Sequence, residues 1–256
     1  MSAGGARTRS PRLAVSSAWG ATGVSRVATG GDLAVVVDVL SFTTTLSVAA
    51  DRGTRVVPCP WLDERANALA REHDAELAVR RGEAGPGRVS LSPVTVRAAG
   101  PLPRLVLPSP NGSTISAQLA DRDTEVVGGC LRNRRAVAQW LHHRGADGPP
   151  RRVVVVPAGE VRPDGSRRRA SEDLWGAGAV IRALSEIGPV EPSPDARAAA
   201  AAFDAVAHDL PRALHRCTSG VELREHGFAD DVDVAAELDR STAVPTLLDG
   251  VFEPAG

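Results

Sequence analysis

Leu33-Ala34-Val35-Val36-Val37-Asp38-Val39-Leu40-Ser41-Phe42-Thr43-Thr44-Thr45 is the stretch whose reading decides the fold. The run from Ala34 to Val37 is apolar without alternation, so both of its sides need cover. That predicts a strand over Leu33–Leu40 buried on both faces, as in a parallel sheet flanked by helices. Asp38 lies near the C-terminal end of this strand, where a buried carboxylate is costly unless paired or metal-bound. The hydroxyls of Thr43, Thr44 and Thr45 then open a helix predicted to reach Arg52.

The same rhythm continues on both sides. Strands are predicted at Arg55–Pro58, Glu76–Val79, Arg104–Leu107, Glu125–Val127 and Arg152–Val156, the last after the chain-breaking pair Pro149-Pro150. Helices are predicted at Asp63–Asp74 with Asp63 as N-cap, and at Ser113–Asp121, Asn133–Arg144, Glu172–Ile187, Pro194–Ala207 and Asp209–Arg216. A further helix, capped by Thr218 or Ser219, should stop at Gly227. Gly82–Pro93 reads as a loop, Glu160–Arg169 as a charged excursion, and Val244–Pro254 as irregular chain or one edge strand. Strands alternating with helices give an α/β protein with a largely parallel or mixed sheet. Residues 1–30 are expected to be an N-terminal segment with one short strand, packed on a single domain over 31–256. The strand–helix units before and after about Gly100 could form two similar lobes of that domain.

Composition narrows the function. The formal net charge is −1 and the pI about 6.6. Nucleic acid and anionic membranes both need concentrated positive charge, so neither is expected as a partner. The basic residues are all arginines, so any cationic grip on phosphate must use the planar guanidinium fork. Cys59, Cys130 and Cys217 have no metal-ligand spacing and are odd in number, which points to a reducing compartment. No apolar run approaches the roughly 18 residues of a membrane span. Arg7 and Arg9 are not followed by a hydrophobic stretch, so no signal peptide is expected and the cytoplasm is. Homo-oligomerisation is left open.

Three strand-to-helix junctions carry candidate chemistry, because ligands bind at the carboxyl ends of parallel strands and anions at helix N-termini. The first is Asp38 with Thr43–Thr45, which either cap a helix or hold a ligand. The second, Pro108-Ser109-Pro110-Asn111-Gly112-Ser113-Thr114, is either a turn and cap or a phosphate cradle in which Gly112 allows close approach. The third joins Pro157-Ala158-Gly159 to Ser171-Glu172-Asp173. Its acids either complement the helix dipole or hold a hard cation. Cys130 is not expected to be a nucleophile, since His142 and His143 fall at the far end of the next helix. Trp61 and Trp140 read as packing residues.

The order of these clusters resembles the 2-phosphosulfolactate phosphatase family. Asp-Val-Leu-x-x-Thr-Thr-Thr comes first, then Gly82-Glu83 in a loop ending Ser92-Pro93, Asn111-Gly112-Ser113, and Gly128-Gly129 with Asn133. Ala158-Gly159 before Glu172-Asp173 follows, and Ser219-Gly220-Val221-Glu222-Leu223, Gly227-Phe228-Ala229-Asp230-Asp231 and Val244-Pro245 complete a match over about residues 31–250. The resemblance implies a three-layer α/β/α fold and magnesium-dependent hydrolysis of a phosphate monoester on a sulfonated three-carbon acid. Carried over, the catalytic set is Asp38, Thr43, Thr44, Asn111 and Asn133. The substrate-binding set is Thr45, Gly112, Ser113 and Ser92, and the magnesium ligands are Asp38, Glu83, Glu172 and Asp173. Whether Asp38 is a nucleophile or a metal ligand stays open.

Departures from the family pattern bear on the substrate. Ser41 and Ala84 stand where the family has arginines, and the loop Val89-Ser90-Leu91-Ser92-Pro93 is shortened. Each charge-assisted hydrogen bond is worth roughly 1.5–3 kcal/mol, so 2-phosphosulfolactate is expected to be a poor substrate, or not the sole one. Arg80, Arg81 and Arg88 are close enough in sequence to substitute. The expected function is therefore a phosphatase acting on a small phosphorylated hydroxy acid. The alternative is a non-catalytic anion-binding or regulatory protein that keeps the fold.

Overall fold

The computed structural model describes residues 13–27, 30–85, 87–122, 124–146, 151–162 and 164–255. Arg7, Arg9 and the Pro149-Pro150 pair lie outside the described residues. The Leu33 run becomes strand β2 in a ten-stranded sheet. In chain order the elements are β1 (Leu13–Ser17), α1 (Gly20–Val27), β2 (Leu33–Val37), α2 (Phe42–Asp51), β3 (Arg55–Cys59), α3 (Glu64–Glu72), β4 (Glu76–Leu77), α4 (Pro93–Ala98), β5 (Arg104–Pro108) and α5 (Gly112–Ala120). Then come β6 (Glu125–Gly129), α6 (Arg134–Ala146), β7 (Arg152–Pro157), a small hairpin β8 (Glu160–Val161) and β9 (Arg167–Arg168), α7 (Ser171–Ile187), β10 (Val190–Pro192) and α8 (Pro194–Val206). Three short helices, α9 (Leu210–Arg216), α10 (Thr218–Glu225) and α11 (Ala229–Ala235), lead into β11 (Pro245–Leu248) and β12 (Val251–Pro254).

Every residue of β2 is buried, because the two sides of the strand feed two different cores. Ala34 and Val36 pack with Phe42 and Leu46 of α2 and with Ile115 and Leu119 of α5. Val35 and Val37 pack with Leu141 of α6, Val180 of α7 and Phe203 of α8. The strand is therefore a slab between two helical layers, the three-layer α/β/α arrangement. A third, smaller core places α3 against Val57, Cys59 and Val106.

Local endings differ from expectation where side chains compete with the ladder. The strand stops at Val37 rather than Leu40, because the Thr43 amide donates to the Asp38 carbonyl and turns the chain. The helix begins at Phe42, and Ser41 at its N-cap makes no side-chain cap. Asp63 caps α3 as predicted, accepting from the Arg65 amide. Trp61 is not a core residue: it is 37% exposed, with the Arg65 guanidinium over its ring. Trp140 packs partly buried against the larger core.

The strand order is β10-β1-β7-β2-β6-β11-β12-β3-β5-β4. The N-terminal strand β1 is thus a full member of the sheet, parallel to β7 and β10. The tail departs most from its sequence reading. Val244–Pro254 forms an antiparallel hairpin in the middle of the sheet, with β11 on β6 and β12 on β3. Strands from before and after residue 100 interleave, β2 lying between β6 and β7 and β5 between β3 and β4. The hairpin also sets direction. Because β11 opposes β6 and β12 opposes β3, the β3-β5-β4 group runs against the β1-β2-β6-β7 group. One shared carboxyl edge, expected from an all-parallel sheet, is therefore not what gathers the site. The link between the end of β5 and the end of β2 is a direct one, from the Gly112 amide to Asp38 Oδ2 at 3.2 Å.

Candidate active site

Asp38 follows β2 and ties two helix N-termini together. Its Oδ1 accepts from the Phe42 amide of α2 at 3.4 Å and its Oδ2 from the Gly112 amide of α5 at 3.2 Å. Gly112 is required by space: a Cβ there would lie 2.2 Å from Phe42 Cδ1 and 3.0 Å from Asp38 Oδ2. Overpacking of this kind costs about 1–3 kcal/mol and here would push Asp38 and Phe42 apart. Gly112→Ala is expected to lower the melting temperature by several degrees and turnover by at least tenfold. Wild-type values for both would show that the close approach is dispensable.

The start of α7 brings two more acids to the same place. Asp173 Oδ1 accepts from the Val39 amide at 2.7 Å and its Oδ2 from the Gly159 amide at 2.9 Å, so it locks the chain after β2 to the chain after β7. Glu172 is 2% exposed, and its Oε2 accepts no hydrogen bond among the described residues. A buried carboxylate oxygen without a partner is costly. Asp38, Asn111, Glu172 and Asp173, drawn from three junctions, line one cavity of about 330 Å³.

Burial and mutual repulsion make this floor resist negative charge. Burial raises the Asp38 carboxyl to about 6; the Phe42 and Gly112 amides pull it down and the charge of Glu172 pushes it up. Burial also raises Asp173 well above the usual carboxylate range, with Asp38 and Glu172 adding to it. Burial lifts the nearby Cys217 thiol to about 12, reinforced by Glu172. A proton or a cation relieves such a cluster. The donors are all hard oxygens, and magnesium usually takes only one or two carboxylates and keeps several waters, so Asp38 and Glu172 fit it. Among the described residues no three His, Cys, Asp or Glu side chains form a ready metal cage. Asp38 and Asp173 each accept backbone amides on both oxygens, and Glu172 Oε2 is the open acceptor.

The remaining sequence-predicted residues are placed differently. Glu83 does not join the acid cluster: its side chain is 61% exposed, 4.0 Å from Arg80, and lines a separate groove. The threonine hydroxyls serve backbone carbonyls, Thr43 that of Asp38, Thr44 that of Val39 and Thr45 that of Leu91, at 2.7–2.9 Å. They brace the junction, and each is completely buried. Asn133 is a connector, accepting from the Cys130 amide and donating to the carbonyls of Gly128 and Ala243. Ser92 caps α4 and donates to Asp231. The Ser113 hydroxyl is buried without a partner among the described residues and is not part of the cavity lining. Asn111 Oδ1 accepts from the Val161 amide of the β8–β9 hairpin at 3.3 Å. Cys130 is completely buried, which raises its thiol and fits the expectation that it is no nucleophile.

Sequence reasoning missed the outer wall. Glu160, Glu222, His226 and Phe228 line the cavity as well, and of these the C-terminal part of the family resemblance contains Glu222 and Phe228. Of the three arginines considered as substitutes, Arg81 alone reaches the cavity, while Arg80 and Arg88 line the groove that contains Glu83. Arg81 Nη2 donates to Ser41 Oγ at 2.6 Å.

Known proteins are similar to this chain over most of its length. The family profile described as 2-phosphosulpholactate phosphatase matches residues 24–250. A probable 2-phosphosulfolactate phosphatase of Thermus thermophilus is 30% identical over 226 residues, 87% of this chain and 90% of that protein. The 2-phosphosulfolactate phosphatase of Methanothermobacter thermautotrophicus is 30% identical over 225 residues, 88% of this chain and 90% of its own length. A probable enzyme of the same name from Deinococcus radiodurans is 30% identical over 239 residues, covering 88% and 91%. With its three-layer fold and its acid-floored cavity at the junctions after β2, β5 and β7, the chain belongs to the 2-phosphosulfolactate phosphatase family.

Proposed function

We propose that this protein is a magnesium-dependent phosphatase that hydrolyses the phosphate monoester of a small phosphorylated hydroxy acid, 2-phosphosulfolactate or a close relative. Family membership supports the reaction class. The buried, unpartnered Oε2 of Glu172, beside two carboxylates whose burial resists ionisation, supports the cation. Asp38 and Glu172 would hold it. Asp173 would fix the two loops that carry them through its bonds to Val39 and Gly159. When bound, magnesium would neutralise phosphoryl charge and polarise a phosphoryl oxygen.

This chain's own residues do the positioning. Asn111, just before α5, lines the cavity with the acids of α7 and would contact the phosphoryl group, and Leu40, Leu223 and Phe228 would screen the leaving alcohol from water. Water adds to phosphorus, the ester P–O bond breaks, and the alcohol leaves with a proton. The three cysteines, all unpaired and buried, support a reducing, cytoplasmic setting. No helix among the described residues is long and apolar enough to cross a membrane.

The test is phosphate release from a panel of phosphorylated hydroxy acids, with magnesium and with excess chelator. Turnover with magnesium should fall at least about hundredfold on chelation, as expected where a metal supplies several kcal/mol of charge stabilisation. An equal rate in chelator would remove the metal from the proposal. No release from any ester, with the protein folded, would remove the phosphatase.

A further inference from the structure

Among the described residues, one side chain of fixed positive charge lines the cavity, that of Arg81. It faces five acids there: Asp38, Glu160, Glu172, Asp173 and Glu222. A cation held by the floor acids would serve the phosphoryl group. A second anionic group elsewhere on a substrate would still meet a wall of carboxylates, unless it met Arg81. The guanidinium is held in place for such a role. Its Nε donates to Asp231 Oδ2 at 3.0 Å, and its Nη2 to Ser41 Oγ at 2.6 Å and to the Leu91 carbonyl at 3.4 Å. The Phe228 ring lies 5.9 Å from it. Asp231 is itself fixed, 1% exposed and holding the Ser92 hydroxyl on its other oxygen. Among the described residues, Nη1 makes no hydrogen bond.

We propose that Arg81 is the specificity-determining residue of the cavity, binding through Nη1 a carboxylate or sulfonate carried by the substrate in addition to its phosphate, with Asp231 as the positioning residue that orients it. This rests on the phosphatase reading above. A buried arginine–aspartate pair adds little stability compared with apolar packing and is retained for orientation. A guanidinium anchored on two of its nitrogens and open on the third gives a directed charge-assisted bond at low entropic cost. The partners are far apart in sequence, Ser41 and Asp231 lying 40 and 150 positions from Arg81, so only the folded chain assembles the grip.

The test compares Arg81→Lys and Arg81→Met with wild type on two esters: a phosphorylated three-carbon acid, and glycerol phosphate, which lacks the second anion. A single charge-assisted bond corresponds to about 10–100-fold. Arg81→Met should lose that factor in kcat/KM on the phosphorylated acid, mainly through KM, and change less than about threefold on glycerol phosphate. Arg81→Lys, which keeps the charge and can still pair with Asp231, should fall between wild type and Arg81→Met on the acid. Equal losses on both esters would place Arg81 at the phosphoryl group and overturn the proposal, as would no loss on either. Calorimetric binding of the dephosphorylated hydroxy acid is a readout independent of turnover. Weaker binding to Arg81→Met than to wild type, with circular dichroism unchanged, supports the grip even if no ester is hydrolysed. Equal binding overturns it.

Discussion

Asp38→Asn is expected to lower kcat by about a thousandfold while the protein remains folded. The carboxylate is the one group that touches both helix starts at the cavity floor, and in the proposed mechanism its charge helps to hold the cation. Loss of one preorganised electrostatic contact typically costs about 10²–10³ in rate, and loss of a metal more. Stability should respond differently. Burial raises this carboxyl from 3.8 to about 6 in the folded chain, so between those values the folded state binds more protons than the unfolded one. Stability therefore falls as pH rises through this window, and the full cost of the charge, about 3 kcal/mol by linkage, is present above about pH 6. Asn removes that cost but leaves one of two backbone amides without an acceptor, a loss of about 1–3 kcal/mol. The melting temperature in metal-free buffer at pH 7.5 should thus stay close to wild type. A variant with wild-type turnover, or one unfolded at that pH, would contradict this account. In the wild type, a proton on Asp38 should compete with the cation, so raising magnesium should move the acid limb of the activity profile to lower pH.

The second large effect is expected at Phe252, more than two hundred residues from Asp38 in sequence and close to it in space. Phe252 on β12 is 1% exposed and meets Phe42 edge-to-face, with ring centroids 6.1 Å apart. Phe42 in turn donates its amide to Asp38. Truncation of a buried Phe to Ala costs about 3–5 kcal/mol, a large share of the roughly 5–15 kcal/mol that holds a domain together. Phe252→Ala should therefore lower the denaturation midpoint strongly. It should also reduce turnover in the fraction that stays folded, since Phe42 loses its backing. Phe252→Leu, which refills most of the space, should recover most of both. Full activity and stability in the Ala variant would show that the hairpin and the cavity floor are independent.

What was legible in the sequence follows from how local its causes are. Leu33–Val37 could be read because five buried residues without alternation admit one environment, and α3 because Asp63 caps it within two residues. The C-terminal hairpin could not. Each of its strands is four residues long, ends or begins in proline, and finds its cover only from β6 and β3. In the site, Asp38, Asn111, Glu172 and Asp173 were legible because acids and amides at strand-to-helix junctions stand out against capping patterns. Thr43, Thr44 and Thr45 were equally conspicuous, and their hydroxyls donate to the backbone carbonyls of Asp38, Val39 and Leu91. Glu83 sits beside a Gly-rich loop whose direction no local pattern fixes, and it turned outward to Arg80.

The hairpin at Pro245–Pro254 also bears on how the molecule is made. It is the seam through which the sheet halves join, and ribosomal synthesis delivers it after every other strand. Until it emerges, β6 and β3 present open edges to one another's solvent, the kind of exposed ladder that invites pairing with foreign chains. Asp38 and Gly112 belong to segments on the two sides of that seam, joined directly by the Gly112 amide and by the packing of α5 on β2. The hairpin is thus the last of the sheet's described strands to be made, and the two halves of the sheet pair through it only once it has formed.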